Sequence, residues 1–275
     1  MHPKEPARLQ LAELPTPVVE LKNLSKQLGL PRMLLKRDDL TGFELSGNKI
    51  RKLEYLLADA VNQGCTSVVT YGGYQSNHCR ATAAACARLG LHCRLLLRAP
   101  KEGDAGNDGN LFLDRLFGAE ITIHGVAEYA ANKKQLVEDA MQRERERGRR
   151  PYYFPVGASV PLGCWGYVRC LHELSEQLGR ETDVDVYVTV GSSGTIAGTV
   201  LGRALLGLSR YRVVGVPISD SVEFFRNDVR ELIANTAKQF SLDVTEQQTP
   251  IELVDGYIGE GYAIPFPAAT ETVRT

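Results

Sequence analysis

Lys49, in the run Ser46-Gly47-Asn48-Lys49-Ile50-Arg51-Lys52-Leu53-Glu54-Tyr55, is a lysine placed behind a Gly-Asn pair at a helix start. Helix N-termini carry partial positive charge and disfavour further cations, so Lys49 and Lys52 in the first turns need a compensating anion such as a phosphate. An amine in this setting reads as a Schiff-base lysine, and pyridoxal phosphate (PLP) is a cofactor that brings both an aldehyde and a phosphate. The plainer alternative is a core stripe of Ile50, Leu53, Tyr55 and Leu56 with both lysines solvated.

Two further clusters bear on that choice. Val184 to Val190 reads as a buried parallel strand ending in Gly191-Ser192-Ser193-Gly194-Thr195, with a small-residue helix, Ile196 to Leu208, behind it. Strand, glycine turn and helix make a cup in which backbone N–H groups and the Ser and Thr hydroxyls converge on an anion. No Gly-Lys-Ser/Thr closes it and its glycine spacing is not Gly-x-Gly-x-x-Gly, so it is neither a P-loop nor a dinucleotide fingerprint. An ordinary tight βα turn is the competing reading. In the second cluster, the strand Ser67 to Thr70 runs into Tyr71-Gly72-Gly73-Tyr74-Gln75-Ser76-Asn77-His78 and a helix, Ala81 to Leu89. Polar side chains at a strand's carboxyl end are where open α/β sheets bind ligands, although Ser76 or Asn77 could equally be an N-cap.

These motifs, in this order, resemble the fold-type-II PLP enzymes, specifically the D-cysteine desulfhydrase and 1-aminocyclopropane-1-carboxylate deaminase group. The resemblance runs from Leu14-Pro15-Thr16-Pro17 through Lys36-Arg37-Asp38-Asp39, Gly47-Asn48-Lys49, Gln75-Ser76-Asn77-His78, Gly109-Asn110-Leu111 and Gly191 to Thr195, ending at Gly261-Tyr262-Ala263-Ile264-Pro265. It implies that Lys49 carries the cofactor aldehyde, that Asn77 bonds the pyridine 3′-oxygen and that Gly191, Ser192, Ser193, Gly194 and Thr195 hold the phosphate. Asn48 and Lys52 are placed with the cofactor-binding residues. Ser76, Asn77 and His78 face the substrate, with Lys49, Ser76 and Tyr262 as the catalytic set. Members of the group continue past the equivalent of Pro265 with a helix, an Asp-Pro-Val-Tyr segment whose tyrosine acts on substrate and whose next residue meets the pyridine nitrogen, and a last strand. Nothing from Phe266 to Thr275 supplies that tyrosine or that partner, so a C-terminally shortened fold with little family activity is the expectation.

The elements that must position these residues alternate. Strands are expected at Met33 to Lys36, Ser67 to Tyr71, His92 to Leu97, Glu120 to Ile123, Tyr152 to Pro155, Val184 to Val190 and Tyr211 to Val216, with helices in most gaps. Alternation of this kind builds α/β folds with parallel sheets and helices on both faces. The fold class is therefore a two-lobed α/β fold with open, twisted, mostly parallel sheets, which the resemblance makes tryptophan synthase β-like. Residues 1–47 with 156–275 are expected to form the larger PLP-binding lobe and 48–155 a smaller inserted lobe. The charged run Glu128 to Arg150 reads as a solvated helix and its exit turn rather than a functional basic patch.

Composition excludes several classes. Thirty-two Lys and Arg against 33 Asp and Glu give a net charge of −1, so neither a nucleic-acid stripe nor an anionic-membrane surface is indicated. No apolar run approaches the roughly 18 residues of a membrane span. Six cysteines show no Cys-x-x-Cys pair and no histidine spacing suited to a metal, and no signal-like segment opens the chain, so a cytoplasmic protein without a metal is expected. Cys79 and Cys86, among alanines, read as small buried thiols.

A homodimer acting on a small amino-acid substrate is the expected form. Three functions are carried forward. The first is β-elimination from a D-amino acid, D-cysteine giving pyruvate, ammonia and hydrogen sulfide, with the Lys49 pKa lowered by Lys52; His78 favours this branch, because the resembling deaminases usually carry glutamine there. The second is cyclopropane-carboxylate deamination or elimination from cysteate. The third, of another class, is an impaired fragment that serves only as a PLP-binding or assembly partner.

Overall fold

The computed structural model describes residues 4–42, 44, 47–99, 106–259 and 266–274. Ser46 and the run 260–265, which contains Tyr262, lie outside the described residues.

Parallel strands need crossovers long enough to hold a helix, and the glycine-punctuated apolar runs of this chain leave that room. A short antiparallel pair comes first, β1 (Val18–Glu20) against β2 (Leu34–Lys36) with α1 (Lys22–Gln27) between them. Then follow α2 (Lys49–Asn62), β3 (Ser67–Gly73), α3 (Asn77–Leu89), β4 (His92–Ala99), α4 (Gly109–Leu116), β5 (Glu120–Gly125), α5 (Val126–Glu146) and β6 (Pro151–Tyr153). Their strands pair in the order β5-β4-β3-β6, all parallel, with Val69 opposite Arg94 and Tyr153. After α6 (Pro161–Leu178), a second parallel sheet of order β7-β8-β9 forms from β7 (Val184–Val190), β8 (Tyr211–Pro217) and β9 (Glu252–Leu253). The helices α7 (Gly194–Leu205) and α8 (Val222–Phe240) connect those strands, and α9 (Pro267–Arg274) is the last described element. Among the described residues no helix is long and apolar enough to cross a membrane.

Several expectations shift. The strands β1 and β9 are two or three residues long, too short for any periodicity to announce them, and β6 begins and ends before the run expected at Tyr152 to Pro155. The strand β7 keeps its boundaries but only Val190 is buried: Asp185, Tyr187 and Thr189, which share one face, are exposed, and among the described residues β7 pairs with β8 alone. The helices α3 and α7 start at Asn77 and Gly194, earlier than the apolar pattern suggests, and this brings the polar loops themselves into first helical turns. The charged helix is α5, solvated along much of its length, yet its Glu144 is fully buried and takes the Nε of Arg94 at 2.7 Å and His92 Nδ1 at 3.0 Å.

The helix α2 lies between the two cores. Ile50, Leu53, Leu56 and Leu57 pack into the core shared with β3, β4 and α3, while Tyr55 enters the core under β7 and α7 with Trp165 and Ile196. Both flanks being covered, the polar residues of α2 are buried as well and need partners. Glu54 accepts from the backbone N–H of Leu11 and Ala12 at 2.8 Å each and from Arg8 at 2.9 Å. Arg51 is held in forked geometry by Asp38 (2.8 and 2.9 Å) and Glu173 (3.0 Å twice) and also donates to Thr16 Oγ1 at 3.0 Å. The helix α6 approaches α2 so closely that a Cβ on Gly166 would stand 2.5 Å from the Arg51 carbonyl oxygen, so only glycine fits there.

Arg51→Met is expected to leave the partly buried Asp38 without its cation and Glu173 with Lys36 and Arg169 as its remaining cations, at a cost of about 3 kcal/mol. Thermal unfolding followed by circular dichroism should show a midpoint lower by about 10 °C. An unchanged midpoint would mean that the ion cluster does not seat α2.

Candidate active site

A cavity of about 790 Å³ opens between the carboxyl ends of β3 and β7, the position at which parallel α/β sheets bind ligands. Three helices begin at its wall. Asn48 and Lys49 come from the start of α2, Ser76, Asn77 and His78 from the start of α3, and Thr195 from the start of α7, with Gly191 and Ser192 beside it. Converging helix N-termini sum their partial positive charges, and the site is therefore built for an anion.

The two lysines of α2 add to the site two amines that would carry charge of the same sign. Lys49 Nζ is 3.1 Å from Asn48 Oδ1, and Asn48 Nδ2 reaches Thr195 Oγ1 at 3.4 Å, so one amide ties α2 to α7. Desolvation first, and the Arg80 guanidinium second, pull the Lys49 pKa down to about 8. Lys52 is fully buried and its Nζ has no hydrogen-bond partner among the described residues, which rules out the solvated reading of that residue. Burial, then the neighbouring Lys49, hold its pKa well below that of an ordinary lysine. Among the described residues no carboxylate pairs with either amine. An unpartnered buried cation site of this kind fits a phosphate ester, whose dianion would restore charge balance.

The glycine turn supplies part of the cavity wall. Gly191, Ser192 and Thr195 line the cavity, whereas Ser193 and Gly194 do not. The hydroxyl of Ser193 donates to Asp228 of α8, and the Gly194 N–H donates to Ser159 Oγ at 3.0 Å. Lys52 is also absent from the wall. It lies behind the turn, its Nζ 3.2 Å from where a Cβ on Gly194 would be, so its charge acts on the cavity through the glycine backbone.

The start of α3 supplies the third wall. Ser76 caps the helix, its Oγ accepting from the Cys79 N–H at 3.3 Å, so the N-cap reading holds and the hydroxyl hydrogen remains available to a ligand. Asn77 is exposed to the cavity. His78 is buried, with Nε2 2.9 Å from Thr70 Oγ1 and its ring edge-on to Phe154. Thr70 gives its only hydroxyl hydrogen to the Phe154 carbonyl oxygen at 2.8 Å, so it must accept from His78 Nε2–H. Nδ1 is then an acceptor, and among the described residues it has no partner. Burial, with Lys49 and Lys52 adding to it, keeps the imidazole pKa well below its ordinary value, so His78 is neutral. Sequence reading missed Arg80 and gave no role to Asn110, both of which stand next to this loop. The one local signal was that Gly109-Asn110 at a helix start repeats the Gly47-Asn48 pair.

Residues 9–275 match the family model described as pyridoxal-phosphate dependent enzyme. The chain is 41% identical over 275 residues to a bifunctional D-cysteine desulfhydrase/1-aminocyclopropane-1-carboxylate deaminase, mitochondrial, of Arabidopsis thaliana, covering 96% of this chain and 66% of that protein. It thus spans slightly less than two thirds of that relative's length. It is 39% identical over 263 residues to a D-cysteine desulfhydrase of Serratia proteamaculans, covering 94% of this chain and 77% of the relative. Among solved structures, a homologue of ACC deaminase superposes with a TM-score of 0.82 at 35% identity, over 92% of this chain and 74% of that one.

Sulfate keeps its charge from pH 6 to 9 and reports on the anion site alone. An anion raises the pKa of any lysine it meets, so the bound state holds more protons than the free state. Affinity must therefore fall as pH rises through the free-state values, by up to about tenfold per unit for each proton taken up. Calorimetric titration should show sulfate binding weakening from pH 6 to 9, with Lys52→Met both weaker and flatter; a pH-independent affinity would contradict the buried-lysine arrangement.

Proposed function

The chain belongs to the family of pyridoxal-phosphate dependent enzymes, and on that premise we propose that it is a lyase eliminating a β leaving group from a D-amino acid. D-cysteine is the proposed substrate, and pyruvate, ammonia and hydrogen sulfide are the products. The observation that carries this reading is Lys49, an amine with a pKa of about 8 on the wall of a cavity formed by three helix N-termini. The desulfhydrase relatives support the substrate class.

Bound PLP supplies an aldehyde for amines and an electron sink for charge at the substrate Cα. The protein's own groups divide the remaining work. Lys49 Nζ, neutral in a large share of molecules near pH 8, carries the aldehyde and takes or returns the proton at Cα. Gly191, Ser192 and Thr195 hold the phosphate directly, with Lys52 and the α7 N-terminus adding positive potential from behind. Asn77 is proposed to bond the pyridine 3′-oxygen. The free Ser76 hydroxyl, at the positive end of α3, binds the substrate carboxylate, and the unpartnered Nδ1 of neutral His78 accepts a hydrogen from the substrate ammonium or thiol. In the net reaction Cα–H and Cβ–S break, sulfide leaves, and hydrolysis of the enamine gives pyruvate and ammonia. Six buried free thiols support a reducing, cytoplasmic setting.

The bifunctional relative favours a second reading, opening of 1-aminocyclopropane-1-carboxylate on the same residues. The two separate by product, because ring opening yields 2-oxobutyrate and elimination yields pyruvate.

With PLP added, D-cysteine should release sulfide and pyruvate faster than L-cysteine. Borohydride reduction followed by peptide mapping should place the cofactor on Lys49, and Lys49→Ala should abolish that label. Equal turnover of L-cysteine would overturn the substrate, and label on Lys36 or Lys52 would overturn the site.

A further inference from the structure

Asn110, the second residue of α4, comes from a part of the chain remote from the glycine turn and from α2, yet it touches the loop that carries Ser76 to His78. Its backbone N–H donates to Gln75 Oε1 at 2.8 Å. Its Nδ2 donates to the Gln75 carbonyl oxygen at 2.8 Å and to Asn77 Oδ1 at 3.0 Å, and its Oδ1 accepts from Arg80 Nη1 at 3.2 Å. The oxygen and nitrogen of an amide are nearly identical in shape, so partners must decide which is which. Here they do so without ambiguity. A guanidinium only donates, so it faces Asn110 Oδ1; a backbone carbonyl only accepts, so it faces Asn110 Nδ2.

That fixed orientation passes to the next amide. One Nδ2 hydrogen of Asn110 is used by Gln75, and the other points at Asn77, which can meet it only with Oδ1. Asn77 Nδ2 is then the atom left for the cavity that Asn77 lines. We propose that Asn110 is a positioning residue that sets the polarity of Asn77, making it offer an N–H rather than a C=O to the cofactor's ring oxygen. The proposal rests on the PLP reading above. Were the Asn77 amide reversed, two acceptors would face each other at the ring oxygen, and an attraction would become a repulsion. Arg80 is the origin of the relay, and its charge also lowers the Lys49 pKa.

Asn110→Asp separates this role from a structural one. A carboxylate in the first turn of α4 is favoured by the helix dipole and pairs with Arg80, which offsets the lost hydrogen bond to the Gln75 carbonyl oxygen, so packing alone predicts thermal stability close to that of the wild type. The relay predicts that this carboxylate, having no hydrogen to donate to Asn77, lets the Asn77 amide reverse. PLP would be titrated into the wild type, N110D, N77A and the N77A/N110D double variant, reading the dissociation constant and the pH midpoint of the bound cofactor's absorbance. Expected are a PLP affinity about tenfold weaker and a displaced midpoint in N110D, Asn110→Ser falling between N110D and wild type, and no further loss from N110D in the N77A background. N110D within twofold of the wild type overturns the relay, as does an equal loss from N110D with and without Asn77, which would place the effect on Arg80 and Lys49. Failure of the unsubstituted chain to bind PLP at all would overturn the cofactor reading itself and the relay with it.

Discussion

A fully buried lysine with no counter-charge among the described residues governs this structure. Lys52 sits behind the Gly191 to Thr195 turn, three residues along the same helix from Lys49, at a point where three helix N-termini already contribute positive potential. Water would relieve the repulsion if the helix could withdraw. It cannot, because Arg51 and Glu54 on either side of Lys52 are anchored in ion and hydrogen-bond clusters, and Gly166 admits the backbone of α2 to near contact. Stability invested in those neighbours holds in place an arrangement that only an anion completes.

The same constraint tunes the chemistry. Desolvation and cationic neighbours bring Lys49 to about 8 and keep His78 neutral, so the cavity holds a usable amine and an imidazole acceptor instead of two fixed cations. The hydrogen bonds from Asn48 to Lys49 and Thr195 link that amine to the anion-binding turn. Binding, orientation and basicity are thus set by one helix start and the elements packed against it.

Much of this was legible in the sequence where the signal is local. Turn chemistry marked Gly47-Asn48, the Gln75 to His78 loop and Gly191 to Thr195, and alternation of apolar runs with helical stretches marked the parallel sheets. Properties set by distant packing were not legible. Whether Lys52 is solvated depends on α6 and on Gly166, far along the chain, and whether the Tyr187 face of β7 is covered depends on what packs against it. Ser193, grouped with the phosphate-holding residues by the resemblance, donates its hydroxyl to Asp228 of α8, a contact that no local pattern announces. Asn110 carried no sign of its contact with Asn77 because that contact exists only once α3 and α4 have packed.

The central claim is that the two α2 lysines are held below their ordinary pKa by burial and by a cationic neighbour each, Arg80 for Lys49 and Lys49 for Lys52, awaiting an anion. Nuclear magnetic resonance titration of the lysine ε-carbons in the anion-free protein measures this directly. Lys49 should titrate near 8 and Lys52 well below the ordinary lysine range, and both should move up when a phosphorylated ligand lacking the aldehyde is added. Lys52 titrating as an ordinary solvated lysine, unmoved by that ligand, would contradict the account.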